Sequence, residues 1–387
     1  MKKLIRITTV PESLNKLLDG QLSFMKNYYE VIAVSSGGEQ LELVKSRQGV
    51  RVYPIKMSRK ITPLKDFIAL IKLVVFLRKE KPFIVHTHTP KAGTLGIIAA
   101  LIARVPHRLH TVAGMPLLEA AGMKRILLDM VEKITYLCAT QVYPNSHGLK
   151  KIILENNYTN PSKIDVILNG SSNGINTWEF SASAINSDNI LALQKTLELA
   201  DSNFIFCYIG RMVKDKGVNE LVEAFVEFYS ENKHSSLILV GPFENDLDPL
   251  LPSAIQAINT HPGIRFVGLK NDVRPYLSIC DVVVFPSYRE GFPNVVMQAG
   301  AMGKPCIVTD INGCNEIIID GINGLIIPPK KTSAILAAMR QMIIKPEMRL
   351  RMQNNARHMI VSRYEQMDVW KALLTKYQEL ETESYDV

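Results

Sequence analysis

In "FIFCYIGRMVKDKGVNELVEAF" (204 to 225) an apolar, strand-like run ends at Gly210 and is followed at once by Arg211, a short loop holding Lys214 and Lys216, then Gly217 and an amphipathic segment. Arg211 and Lys216 at a strand tip offer two cations to a diphosphate, and Gly217 permits close backbone approach where the helix begins. A solvated basic loop is the alternative. Further along, "YREGFPNVVMQAG" (288 to 300) repeats the arrangement after the strand-like "VVVFPS". Glu290 precedes a tight turn, Gly291, Phe292, Pro293 and Asn294, after which an apolar helix starts. The first backbone N–H groups of that helix, at Asn294 and Val295, suit a phosphate oxygen or a sugar hydroxyl. Taken alone, Glu290 is equally a helix-capping carboxylate, and Gln298 an ordinary polar helix residue.

A third polar cluster is "HTHTPKAG" (86 to 93). His86 and His88 alternate along a strand end and so share one face, with Thr89 and Lys91 at the following turn and helix start. The turn could meet a sugar or phosphate group through His88, Thr89 and Lys91, whereas His86 is as readily structural. As zinc ligands the two histidines lack a third partner at any recognisable spacing, so no metal site is expected. Asp246 and Asp248 in "NDLDPL" spell a D-x-D pair, but they stand just before a proline at a helix start, where Asp is a common cap.

These residues need elements to hold them. Short β-branched runs alternate with longer amphipathic segments, which predicts parallel strands joined by crossover helices. The first series is "LIRITTV", "YEVIAVSS", "VRVYPI", "FIVHTH", "RLHTVAG", "QVYPNS" and "IDVILNG"; the second is "FIFCYIG", "LILVG", "IRFVG", "VVVFPS", "CIVTD" and "GLIIP". Continuous apolar strands require both sheet faces to be covered, so the fold class is α/β with two doubly wound sheets. The Ser- and Asn-rich stretch at 171 to 190 is the expected linker. That gives a first domain over 1–175, a second over 190–363, and a final helix within 364–387 that returns to the first. Ligands of such sheets bind beyond the carboxyl ends of the strands, so the cleft between the domains is the expected active site.

Composition narrows the classes. The 387 residues carry a net charge of +8, with 47% hydrophobic and 21% charged residues, which excludes wholesale disorder. The charge is uneven: residues 1 to 160 hold +13 and the remainder −5. A basic first half suits an anionic partner such as a lipid surface or a pyrophosphate, or is a set of solvated lysines. No zinc-finger spacing or aromatic RNA-binding signature accompanies it, so nucleic acid is not an expected partner. The apolar runs "DFIALIKLVVFL" and "TLGIIAALIA" are too short to cross a bilayer. With no signal-peptide pattern in "MKKLIRITTV", the expected location is cytoplasmic, at the inner face of the cell membrane. Cys138, Cys207, Cys280, Cys306 and Cys314 form no CxxC pair and are expected as free, mostly buried thiols.

The pair of motifs, Arg211 with Lys216 after one strand and "REGFPNVVMQA" after another, resembles retaining glycosyltransferase family 4, whose GT-B fold has two facing Rossmann-like domains. "HTHTPKAG" and "NGSSNGIN" (169 to 176) are similar to bacterial members that build lipid-linked surface or protein-linked glycans. The resemblance implies that Gly210, Arg211 and Lys216 hold the donor's diphosphate and that no metal or other cofactor is needed. It implies that Glu290 contacts donor-sugar hydroxyls, and that Gly291, Phe292, Pro293, Asn294 and Val295 line the sugar and phosphate. Position 298 corresponds to a second carboxylate that usually holds the ribose; here it is Gln298, which can accept a hydrogen bond without charge assistance. His88, Thr89, Lys91 and Asn173 would face the acceptor. Many relatives have a histidine where this chain has Ala113, and His110, earlier on the same strand, is a poor replacement.

The expected activity is therefore retaining, metal-independent transfer of a hexosyl or N-acetylhexosaminyl group. It would run from a nucleotide-sugar donor to a polyprenyl-diphosphate-linked glycan acceptor, with peripheral membrane contact through the basic first domain. A nucleotide-sugar epimerase of similar fold and a non-catalytic nucleotide-sugar binding protein are the alternatives. A dinucleotide-dependent oxidoreductase is disfavoured because "TTVPESLNK" stands where a G-x-G-x-x-G would follow the first strand.

Overall fold

The computed structural model describes residues 1–58, 60–200, 203–244 and 248–383. It separates into two compact units, Met1–Gly174 together with the chain from Gln366 onward, and Ile175–Glu365.

The first unit holds β1 (Lys3–Ile7), β2 (Glu30–Ser35), β3 (Arg51–Pro54), β4 (Ile84–His88), β5 (His107–Val112) and β6 (Gln141–Pro144). They form one parallel sheet in the order β3-β2-β1-β4-β5-β6. Its central strands are buried on both faces, which is why "LIRI" and "IVHTH" lack the polar alternation of a half-exposed strand. The second unit repeats the plan with β7 (Phe204–Ile209), β8 (Ser235–Val240), β9 (Ile264–Gly268), β10 (Val282–Phe285), β11 (Cys306–Thr309) and β12 (Gly324–Ile327), in the order β12-β11-β10-β7-β8-β9. In each sheet the winding direction reverses between two adjacent strands, β1 and β4 or β7 and β10. The loops leaving those strands part from one another there and open a crevice at the carboxyl ends.

Crossover helices close the faces. The helix Val218–Glu231 turns Leu221, Val222, Phe225 and Phe228 inward at helical spacing, each contributing about 1.5–3 kcal/mol by burial. Phe225→Ala would leave a cavity costing about 3–5 kcal/mol. Cys207, Cys280, Cys306 and Cys314 are buried free thiols in this second core, and Cys138 is half-buried.

Two boundaries differ from the sequence-based expectation. "IDVILNG" is not a strand: only Ile164 bridges, to Val142, after which positive φ angles at Leu168, Gly170 and Ser171 turn the chain away from the sheet edge. The stretch expected as a linker belongs to the second unit from Ile175 on. Ile175 bridges to Glu365, Thr177 Oγ1 donates to the Glu365 carboxylate (2.5 Å), and Arg357 donates to the carbonyls of Thr177 and Phe180 (both 2.9 Å). The final helix, Gln366–Glu383, lies with the first unit, where Trp370, Leu373 and Tyr377 are buried.

Candidate active site

The loops leaving β7 and β10 are built against each other at the switch point of the second sheet. After β7 the chain passes Gly210 and Arg211, makes a short 3-10 turn at Lys214–Lys216 and reaches Gly217 at φ +69°. A Cβ at Gly217 would collide with the Pro286 carbonyl oxygen just beyond β10, so both the backbone angle and the space demand glycine. Asp215 ties the loops: its carbonyl accepts from Tyr288 N–H (2.9 Å), and its carboxylate accepts from Arg289 (2.9 Å). The Tyr288 hydroxyl donates to Glu220 (2.5 Å) at the start of the following helix. Gly313, after β11, backs the turn from the other side, where a Cβ would press on Gly291 and Phe292.

This scaffold sets the Lys216 ammonium on the Glu290 carboxylate as an ion pair, with both side chains about 15% exposed. Lys216 also lies over the Phe285 ring at 5.9 Å. Glu290 is therefore not a helix cap. The helix Asn294–Ala301 has Pro293 at its N-cap and no side-chain cap, so its leading N–H groups at Asn294 and Val295 are not taken up by Glu290. Gln298 follows Asn294 by one helical turn and is half-exposed. Phe292 is buried against Tyr364, which anchors the turn.

Arg211 is partly exposed and donates to Glu244 (2.6 Å), an acid just past β8 that the sequence reading did not single out. Burial disfavours the Arg211 charge, but the Glu244 hydrogen bond and the fields of Glu244, Asp215 and Glu290 outweigh it, so its guanidinium stays more firmly protonated than usual. The signal for Glu244 lay in strand adjacency: β7 and β8 pair Ile209 with Val240, and Met212 bridges Phe243, so residues just past the two strands are neighbours. Asp215 was equally visible inside "KDKG" but reads as a loop acid until its partners are known. Asp248 accepts from Asp215 N–H (2.6 Å) and is not the cap of the helix Pro252–Thr260, whose N-cap is Leu251. Asp246 lies outside the described residues.

The acceptor candidates of the first unit are mostly absorbed by its interior. His88 is 1% exposed, accepts at Nε2 from the buried Arg6 guanidinium (2.8–3.2 Å), and lines a small cavity together with Asn145, Ser171 and Ser172. His86 stacks on His88 and bonds Tyr377 and Thr111 (2.6 and 2.7 Å). Burial pushes both imidazoles well below their usual range, reinforced for His86 by His88 and then Arg6 and for His88 by Arg6, so both are neutral at pH 7. Asn173 is engaged within the unit: its side chain donates to the Asp19 carbonyl and accepts from Gln21 and Trp370. Lys91 is held by Asp66 (2.8 Å). His88, Lys91 and Asn173 each have a polar partner inside the unit that sequence spacing could not reveal. Thr89 and Lys91 are half-exposed; Thr89 sits at φ +72°, an uncommon angle for a β-branched residue, with Oγ1 bonded to Thr9 (2.8 Å) across the β1–β4 switch point. His110 is buried and bonds Thr87 (2.8 Å), a structural position.

Comparison with known proteins then decides the family. Residues 190–359 match the family described as Glycosyl transferases group 1, and residues 17–146 match Glycosyl transferase 4-like. The capsular polysaccharide biosynthesis glycosyltransferase CapM of Staphylococcus aureus is 32% identical over 97% of this chain and 97% of its own length. The chain belongs to glycosyltransferase family 4. A second relative, the Escherichia coli UDP-Gal:alpha-D-GlcNAc-diphosphoundecaprenol alpha-1,3-galactosyltransferase, is 32% identical over 79% of this chain and 78% of its own. Among solved structures, HepE of Anabaena in complex with UDP and glucose superposes with a TM-score of 0.82 at 17% identity, covering 98% of this chain and all of that one. The fold is GT-B, and the protein is a glycosyltransferase.

Proposed function

We propose that this glycosyltransferase moves a sugar, with retention and without a metal, from a nucleoside-diphosphate donor to a polyprenyl-diphosphate-linked acceptor in bacterial surface-glycan assembly. The observation that carries the reading is the Lys216–Glu290 pair at the β7–β10 switch point, beside Arg211 and the helix start at Asn294. Lys216 and Arg211 would bind the donor's diphosphate and offset the negative charge that grows on it as the anomeric bond breaks. Glu290 would hold sugar hydroxyls, and Gln298 a ribose hydroxyl. The attacking acceptor hydroxyl would pass its proton to the departing diphosphate on the same face.

The donor class is supported by the HepE complexes with UDP and UDP-glucose, and the acceptor class by the diphosphoundecaprenol named in the E. coli relative. A hexosyl or N-acetylhexosaminyl donor fits those relatives. A panel of nucleotide sugars tested for thermal stabilisation identifies the donor, because a ligand binding only the folded state raises its midpoint. Stabilisation by one sugar nucleotide, and more by it than by the parent nucleoside monophosphate, is the expected outcome. No response to any member of the panel would contradict the reading.

A further inference from the structure

At the carboxyl ends of β4 and β6, three side chains of the first unit line one small cavity: His88, Asn145 and Ser172. His88 Nδ1, Asn145 Oδ1 and Ser172 Oγ are each shielded from solvent and have no hydrogen-bond partner among the described residues. His88 is 1% exposed and Asn145 5%, so bulk solvent does not serve them as it serves a surface group. Leaving a buried polar atom unpaired is costly, and three such atoms on residues around one cavity point to a shared ligand. Two other polar residues of the wall are already engaged. Thr111 Oγ1 bonds His86 Nε2 (2.7 Å), and Ser171 Oγ accepts from the N–H groups of Asn173 and Gly174 (3.4 and 3.0 Å).

The donor and acceptor roles identify the ligand. Arg6 Nε and Nη2 both reach His88 Nε2 (3.2 and 2.8 Å). A guanidinium only donates, so Nε2 carries the lone pair and the ring proton is on Nδ1. The three atoms therefore offer one donor, one acceptor and one hydroxyl that can be either. A metal cation would face the Nδ1 proton, and an anion would face the Asn145 carbonyl oxygen. The cavity leaves about 10 Å³ in which the centre of a water molecule can move, the room that one water needs and too little for a sugar ring. Its frame is tied from outside: the Asn145 carbonyl accepts from Ser171 N–H (2.7 Å), and the Ser172 carbonyl accepts from Gln21 Nε2 (3.1 Å).

We propose that this cavity binds one ordered water, which accepts from His88 Nδ1–H and donates to Asn145 Oδ1 and Ser172 Oγ. Three hydrogen bonds are the usual complement of a buried water. The site stands where the chain leaves the first unit and where it returns. Ser172 comes shortly before the unit's last residue on the way out, Gly174, and Val369 and Leu373, on the same wall, belong to the helix that re-enters at Gln366. The water thus joins the outgoing segment, strained by the left-handed angle of Ser171 (φ +71°), to the ends of β4 and β6. This role is one of anchoring and does not rest on the proposed transfer reaction.

The test combines three measurements on the full chain. A high-resolution crystal structure should show one density peak within hydrogen-bond distance of all three atoms; a dry cavity, or the three side chains bonded to one another, overturns the proposal. Nuclear magnetic resonance of the protein labelled with ¹⁵N-histidine should show His88 as the Nδ1–H tautomer, and an Nε2–H tautomer or an imidazolium overturns it. Neither measurement depends on a variant that has to fold. The third compares urea midpoints of Asn145→Leu, Ser172→Ala and the double variant. One water serving both residues makes the double variant's loss smaller than the sum of the single losses, although the two side chains share no direct hydrogen bond. Additive losses overturn the proposal.

Discussion

The Glu290 carboxylate sits on the Lys216 ammonium, joining the acid that follows β10 to the cation that follows β7 across the reversal in the second sheet. Two residues far apart in sequence meet because the strands they follow are neighbours, and because Gly217 and Asp215 lock the intervening loops. On the proposed reading a donor diphosphate would take the ammonium over from Glu290, so the first consequence concerns donor affinity.

Lys216→Ala and Glu244→Gln should move nucleoside-diphosphate binding in opposite directions. Losing Lys216 removes a charge-assisted contact and should weaken binding about 10- to 100-fold. Glu244→Gln frees Arg211 from a carboxylate it now serves and should tighten binding a few-fold. Calorimetric titration with the nucleoside diphosphate checks both, and equal affinity in all three proteins would remove these residues from the donor site.

Gln298→Glu restores a charge one helical turn beyond Asn294. If that position grips the ribose, the donor should bind several-fold more tightly while the ribose-free sugar phosphate is unaffected. Unaltered donor affinity would show that the amide already serves as well as a carboxylate.

Tyr377→Phe probes the final helix. The Tyr377 hydroxyl accepts from the buried Arg6 guanidinium (3.1 Å) and bonds His86 (2.6 Å), so its removal leaves two buried polar groups short of a partner. Stability to urea should fall by about 1–3 kcal/mol. An unchanged midpoint would mean that the network carries little of the hold between this helix and its unit.

Glu132 sets a pH dependence. Burial, reinforced by Asp129, pushes its carboxyl up to about 7 from an ordinary value of 4.5. A carboxyl raised on folding contributes stability that is full below the ordinary value and is lost as pH rises through about 7. Glu132→Gln should flatten that decline and gain about 3 kcal/mol at mildly alkaline pH. Parallel stability curves for parent and variant would contradict it.

Much of this was legible in the sequence. The twelve strands among the described residues follow from β-branched runs, and Arg211, Lys216 and Glu290 stood out as polar residues in the loops after strands. What stayed hidden depended on partners. Nothing in "HTHTPKAG" says that Arg6, on a neighbouring strand, consumes a ring nitrogen of His88, or that Asp66 holds Lys91. Asn173 looks like a surface amide in a polar stretch until Gln21 and Trp370 close on it. "IDVILNG" has the composition of a strand, and only the left-handed backbone at Leu168 and Ser171 withdraws it from the sheet. Local pattern determined the elements; side-chain roles required the contacts between them.

The most direct test is acceptor-dependent release of nucleoside diphosphate by the parent and by Glu290→Gln, using the nucleotide sugar that stabilises the parent and a polyprenyl-diphosphate-linked acceptor. The account predicts release only when both substrates are present, an α-linked product from an α-linked donor, and a loss of about 10²–10³-fold in the variant with an intact fold. Turnover of the variant at the parent's rate would contradict it.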